Sequence, residues 1–595
     1  MTDDPTANGP TFNGPTLNGL TLSGPTLNGL TLSGPTLNGP TLNGPTLKGT
    51  TVSGPTLNGP AQQGTSVNHS GARDNPAYDG DAAGLHRIVL NLNPAQLNDQ
   101  AEALFEDGFR LGLVAAHDEG ATLRVVYLFL SGPPDRRIEL QVTLPAEKPA
   151  LPTLAALSFP ASRFEREMHD LYGIEPVNHP LPRRLIRHAH WPAGWYPMRR
   201  NAGPPPPFTD GEAYPFIAVV GNGVYEIPVG PVHAGIIEPG HFRFSVVGES
   251  ILKLKARLWF THRGVERLFE GLPATDAIHL AERISGDTSA GHALAHSLAV
   301  EDALGITLTE QAQRLRALVL ELERLYNHAA DVGALANDVG FSLANAHALR
   351  IREELLRINN ATTGHRLLRG AISPGRVELL SLPDPGRLAR LAEDLAEVAQ
   401  LTLDNTVIRD RFTGTAKLTL EQARDLGCLG YVARASGLAT DARIEHPACD
   451  LPVTPLTKTS GDVLARFTLR AGEFAASTQL ASHLITTADL LSFRGTPVSA
   501  STTSTSQGAG SEAAESAGAT SESGIRSGVG IVEGWRGTIV HRVEVDEYGR
   551  LTRAKIVDPS WFNWPALPLA LKGTIVPDFP VTNKSFNLSY AGNDL

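Results

Sequence analysis

Hydrophobic residues fall at helical spacing in two long segments. Leu315, Leu318, Val319, Leu322, Leu325 and Tyr326 share one face, and Leu388, Leu391, Leu395 and Val398 repeat the pattern. Both stripes predict long amphipathic helices with the apolar side in a core. Residues 85–90 and 123–130 read instead as strands, rich in Val, Ile and Leu. Residues 95–107 predict a helix between them, stopped by Gly108. Residues 216–247 predict a β-rich entry to the helical part, with Gly221-Asn222-Gly223 as a hairpin turn. These elements predict an α+β fold. A small α/β domain over 75–202 is followed by a mostly helical domain over 203–595.

Three segments lack this patterning. Residues 8–60 repeat with a period of five, as in Pro15-Thr16-Leu17-Asn18-Gly19. A leucine every fifth residue would suit an inward position of a β-solenoid. Proline two residues before it, at Pro15, Pro25 and Pro35, donates no hydrogen bond and opposes that fold. Composition favours a disordered tail over 1–74. Residues 496–527, rich in Ser, Thr, Gly, Ala and Glu, predict a disordered insertion within the second domain. Pro204 to Pro207 predict a stiff linker.

Composition narrows the function classes. A chain of 595 residues implies two or three domains. A net charge of -11 offers no broad basic field, so nucleic acid is not an expected partner. The two cysteines, Cys428 and Cys449, supply neither a disulfide framework nor a four-thiolate cluster. No apolar run reaches a membrane span's ~18 residues, and no secretory signal precedes the repeats. The chain reads as cytoplasmic, with any membrane association made through partners. No G-x-G-x-x-G lies between a strand and a helix, so a dinucleotide would be bound elsewhere.

The motifs are more specific. Residues 163–200 hold Arg166-Glu167-Met168-His169-Asp170-Leu171-Tyr172-Gly173-Ile174, then Asn178-His179-Pro180 and Arg183-Arg184-Leu185. This resembles the signature of the small C-type peripheral subunit of complex I, with Asn178 where glycine is usual. His179, His188 and His190 lack the cysteines or helical spacing of a zinc site. From Gly230 onward come Gly230-Pro231-Val232-His233, Glu238-Pro239-Gly240-His241, and Thr261-His262-Arg263-Gly264-Val265-Glu266. Then follow Glu282-Arg283-Ile284-Ser285-Gly286-Asp287-Thr288 with His292, Arg434-Ala435-Ser436-Gly437, and Asp558-Pro559-Ser560-Trp561-Phe562-Asn563. This part resembles the D-type subunit of complex I and nickel–iron hydrogenase large subunits. The fused order is similar to that of hydrogenase-4 and formate hydrogenlyase large subunits.

The resemblance implies a membrane-associated oxidoreductase subunit, active only within a complex. Electrons would come from a [4Fe-4S] cluster on a neighbouring iron–sulfur subunit. Ion-pumping membrane subunits and an NADH- or formate-oxidising subunit would be further partners, and quinone a possible acceptor. No cofactor is expected on this chain. The nickel-thiolate positions hold Ser285, Thr288, Ser560 and Asn563, which are neutral, hard and weak ligands. Nickel-based hydrogen activation is therefore not expected. The tyrosine that meets quinone in complex I is also missing; Ala274 stands at the ungapped position, and Leu335 replaces the histidine near the terminal cluster. The candidate catalytic residues are His233 as a proton donor, Arg283 as a fixed charge, and His292 and Asp558 as proton carriers. A non-catalytic scaffold is the alternative. An open polar cavity lined by those four residues would favour redox function, and a pocket filled by Trp561 or Trp564 would favour the scaffold.

Overall fold

The computed structural model describes residues 87–211, 214–235, 237–488 and 524–595. The expected tail over 1–74 lies outside them, as does most of the insertion expected at about 496–527. A strand already begins at Arg526, inside the end of that expected insertion.

The N-terminal part is a mixed sheet with two helices packed on it. Its elements are β1 (Arg87–Leu92), α1 (Leu97–Glu106), β2 (Arg110–Asp118), β3 (Thr122–Ser131), β4 (Arg136–Pro145) and α2 (Phe159–Tyr172). The strand order is β1-β4-β3-β2, with β1 parallel to β4 and the other pairs antiparallel. Gly108 has φ +81 and closes α1, as its position predicts. Ser158 caps α2 through Ala161 N at 3.5 Å, and Gly173 ends the helix at φ 71.

Past the proline-rich linker, β5 (Val224–Val229), β6 (His241–Val247) and β7 (Ser250–Arg257) form an antiparallel meander. Gly221-Asn222-Gly223 leads into β5; residues 214–220 before it form no strand, so it is not the hairpin turn expected. The helical part follows: α3 (Ser289–Leu304), α4 (Glu310–Asp338), α5 (Ser342–Thr363), α6 (Pro385–Asp404) and α7 (Val463–Thr486). The predicted stripe on α4 is buried along its length, with Leu318, Val319, Leu322 and Leu325 fully enclosed. Each contributes about 1.5–3 kcal/mol by leaving water. The chain closes with β8 (Arg526–Gly534), β9 (Gly537–Val545), β10 (Leu551–Val557) and α8 (Pro559–Asn563).

The α+β class is as expected, but the two parts interlock. Lys555 bonds Glu167 at 2.8 Å and lies 3.1 Å from Glu266, while Arg542 grips Glu139 at 3.0 and 3.1 Å. The motif over 166–185 serves this chain's own fold: Asp170 accepts three backbone N–H groups, from Leu185, Ile186 and Arg187, and Arg166 donates to the carbonyls of Arg183 and Arg184. Helix α3 lies directly on β8. A Cβ at Gly528 or Gly530 would collide with the carbonyl of Ala299 or Ala295, so these glycines permit the close approach that positions α3 and its histidines.

Candidate functional site

The two cysteine-less motifs do meet. Glu282 to Thr288 precede α3, and Asp558 caps α8 by accepting Ser560 N at 2.7 Å. Ser285, Thr288, Ser560 and Asn563 are all buried. Their hydrogen-bonding groups are turned inward, on the protein itself. Ser285 Oγ donates to Asp287 Oδ1 and shares a hydrogen bond with Ser589 Oγ, both at 2.9 Å. Ser560 Oγ accepts Ser589 N at 2.9 Å. Asn563 clasps the backbone of Leu429 through both amide atoms, at 2.9 and 3.1 Å.

A charge pair sits at the edge of this network. Arg536 holds Asp287 bidentately at 2.7 and 2.6 Å, and also donates to Thr288 Oγ1 and Asn587 O. Its guanidinium lies 4.0 Å from the Trp535 ring centroid, and Trp535 Nε1 donates to Asp287 O. Asp287 is partly exposed; burial works to raise its carboxyl, and the Arg536 charge overrides this and holds it well below the usual carboxylate range.

Beside the network lies a fully buried chain of imidazoles. His292 Nε2 is 3.2 Å from Asp558 Oδ2, and His292 Nδ1 is 3.0 Å from His541 Nε2. His296, one turn along α3, has its ring 6.1 Å from that of His541 and bonds Ala274 O at 3.2 Å. Burial alone would raise the Asp558 carboxyl; the His292 bond and the Arg536 charge instead hold it below its ordinary value. Burial pushes His296 down to about 4 and His541 well below the ordinary histidine value. Glu323 accepts the N–H groups of Ala290 and Gly291 at the start of α3, and burial pushes its carboxyl up to about 8.

Of the four candidate catalytic residues, only His292 and Asp558 touch. Arg283 is exposed and donates to His279 O in its own turn at 2.6 Å. The fixed charge beside Asp558 is Arg536. His233 occupies the loop between β5 and β6, half-buried, 5.8 Å from the Phe242 ring. Its Nε2 has no hydrogen-bond partner, and burial lowers its pKa. Aromatic contacts lead from Phe242 to Trp564 at 6.3 Å, and Trp564 Nε1 donates to Ser589 O at 3.1 Å. The four residues therefore do not line one open cavity. None of three cavities found among the described residues is lined by any of them.

Sequence reasoning missed Asp287, Arg536, His541 and Ser589. Asp287 stood in view, an acid in the middle of a thiolate motif. Arg536 carried a subtler signal: Trp535-Arg536 form the two-residue turn between β8 and β9, where Asn-Gly pairs are usual.

Models of three protein families match successive parts of the chain: respiratory-chain NADH dehydrogenase 30 Kd subunit over 90–205, nickel-dependent hydrogenase over 263–332, and respiratory-chain NADH dehydrogenase 49 Kd subunit over 338–594. Formate hydrogenlyase subunit 5 of Escherichia coli (strain K12) is 30% identical over 471 residues, covering 77% of this chain and 79% of that protein. The chain belongs to this family of fused complex I-like and hydrogenase-like large subunits. Hydrogenase-4 component G of the same organism is 30% identical over 448 residues, 72% of this chain and 73% of that one. The C/D subunit of NADH-quinone oxidoreductase of Phocaeicola vulgatus is 31% identical over 368 residues, 57% and 70%. A protein chain in the structure of the membrane-bound sulfane sulfur reductase, an archaeal respiratory membrane complex, shares the fold, with a TM-score of 0.54 at 23% identity over 64% of this chain and all of that one. No described helix is long and apolar enough to cross a membrane.

The nickel centre implied by this family does not fit the residues present. Its four thiolate positions carry hydroxyl and amide groups, which soft-metal chemistry disfavours, and those groups are bonded to Asp287, Ser589 and Leu429. Among the described residues no cluster of three or more His, Cys, Asp or Glu is placed to hold a metal ion.

Proposed function

We propose that this large subunit works without nickel in a complex I-like, membrane-associated oxidoreductase, with its acceptor chemistry at the His233 loop. A neighbouring iron–sulfur protein would deliver electrons through its [4Fe-4S] cluster, and membrane subunits would couple the transfer to ion movement. Quinone is the acceptor class suggested by the relatives named as C/D subunits of NADH-quinone oxidoreductase. The former metal pocket would act as a rigid support. The observation that carries this reading is the contrast in hydrogen bonding: the pocket's replaced ligands are bonded internally, while His233 Nε2 is buried without a partner in a loop whose Val232 and Ile237 are exposed. A neutral imidazole there can donate a hydrogen bond to an incoming oxygen, and the imidazolium formed by proton uptake can pass a proton to it.

The scaffold reading is supported by a different observation: Trp561 and Trp564 are both buried against the pocket's own segment. The test is His233→Ala in the purified complex, with quinone and dye reduction measured separately. A tenfold or larger fall in quinone turnover, with every subunit retained, is expected. Unchanged turnover would favour the scaffold. Elemental analysis of the same complex should find no stoichiometric nickel, and one nickel per chain would overturn the metal-free reading.

A further inference from the structure

The chain has a net charge of -11, yet five arginines gather around the turn that carries Glu282. Arg263 donates to the carbonyls of Arg283 and Ile284 at 3.1 and 2.7 Å, and Arg283 donates to His279 O at 2.6 Å. Arg369 reaches Ser289 Oγ at 3.4 Å. The charges of Arg369, Arg366 and Arg283 all act on His365, whose pKa is lowered first by burial and then by these arginines. Arg352, on α5, lies 5.9 Å over the Tyr326 ring, and the Tyr326 hydroxyl donates to Asp287 O at 3.2 Å.

These arginines differ from the rest in lacking acids. Among the described residues, Glu282 is the one carboxylate within ion-pair reach of any of them, 3.8 Å from Arg283, and it is buried with Gly370 N as its hydrogen-bond donor. Asp287, in the same segment, is already held by Arg536. The other two arginines of α5 are matched, Arg350 by Asp394 at 2.7 Å and Arg357 by Glu353 at 2.9 Å. Like charges crowded on a surface repel one another, and carboxylates of a partner would relieve that cost. Arg263, Arg283 and Arg366 are exposed. Leu380, 71% exposed, sits beside them, its Cδ1 3.4 Å from the space a Cβ at Gly364 would take.

The residue types select the partner. All five cations are arginine, whose planar fork pairs with carboxylates through two bonds at protein interfaces. A membrane surface would call for a helix with one exposed apolar face, and the exposed side of α5 carries Arg350, Glu353 and Arg357.

We propose that this face docks a protein partner that presents carboxylates to Arg283, Arg352, Arg366 and Arg369, with Leu380 as an apolar contact at the rim. Such docking does not depend on where the acceptor is reduced. Fluorescence anisotropy of a labelled decaglutamate peptide, titrated with the full chain, tests it. The peptide should bind at about 20 mM salt and weaken by about tenfold or more at about 150 mM. Arg283→Gln with Arg366→Gln should weaken binding by about tenfold. Arg350→Gln with Arg357→Gln removes the same charge from arginines already matched and should change binding by less than about twofold. If the first pair fails to fold, Arg366→Gln alone takes its place, with a loss of about threefold. Phosphatidylglycerol vesicles should retain no more of the chain than phosphatidylcholine vesicles do. No binding of decaglutamate, equal losses in the two pairs, or retention by the phosphatidylglycerol vesicles that Arg366→Gln abolishes would each overturn the proposal.

Discussion

The Ser285 pocket and the His233 loop were both legible as parts of one site, yet they differ in almost every physical respect. In the pocket, Ser285, Ser560, Ser589, Asp287 and Arg536 bond one another, and two tryptophans close around them. In the loop, an imidazole nitrogen is unmatched and Val232 is 85% exposed. Lost metal ligands need not leave a void. The hydroxyl and amide groups at these positions bond neighbouring backbone, Ser589 and the Asp287–Arg536 pair.

The largest effect should come from breaking the pocket's charge pair. Arg536→Ala leaves Asp287 without its partner and removes the bonds to Thr288 and Asn587. A loss of about 3 kcal/mol is expected in denaturant unfolding of the purified chain, discounted from a fully buried pair because Asp287 is partly exposed. A loss under 1 kcal/mol would mean that the pocket is held by packing alone.

A second test uses acid. Burial pushes His296 down to about 4 from the ordinary 6.5. Below pH 6.5 the unfolded chain takes up a proton that the folded chain refuses. Stability from this group is therefore complete above about pH 6.5 and falls as the pH drops towards 4, by about 3 kcal/mol over the whole interval. His296→Leu should reduce the pH slope by up to one proton; the remaining slope should reflect His117, which burial also pushes down to about 4, and His541, pushed well below the ordinary value, offset by Glu323, which burial pushes up to about 8. An unaltered slope in the variant would show that His296 is not held neutral.

Much of the fold could be read from pattern because the relevant elements are one-sided. The α6 stripe has a dry face and a wetter one, as periodicity requires; α4 carries the same period although every residue from Leu315 to Ala329 is buried, because polar residues on its other faces are paired, Arg316 with Glu301 and His328 with Glu473. Strands β2 and β4 escaped detection for opposite reasons. Along β2 every position from Leu111 to His117 is buried, so no alternation exists. In β4, Arg137 and Glu139 sit in the core because β8 and β9 supply Val529 O and Arg542 to meet them, a pairing invisible over short range. The candidate site followed the same logic. His292 and Asp558 were found because local motifs carry them. Arg536 and His541 were missed because only the folding of a distant hairpin brings them to α3, and Arg283 was misplaced because sequence adjacency to Ser285 does not fix which way a side chain leaves a turn.

A smaller effect separates the network's hydroxyls from its charges. Ser285→Ala removes the bonds to Asp287 and Ser589 but leaves Arg536 on Asp287. The expected cost is about 1 kcal/mol, the net worth of a neutral buried hydrogen bond, with the Asp287 bond adding somewhat more. A cost above that of Arg536→Ala would reverse the ranking and make the serine bridge the main closure.

The smallest stability effect is expected in the loop. His233→Ala deletes a half-buried ring whose Nε2 has no partner to lose and whose contact is the Phe242 edge at 5.8 Å. Little is left unmatched, and the change in unfolding free energy should stay within about 0.5 kcal/mol. Its unpartnered Nε2 is the group that the proposed acceptor chemistry would use. If His233→Ala instead costs as much as Ser285→Ala, the histidine is a packing element. The distinction drawn between the sealed pocket and the open loop would then disappear.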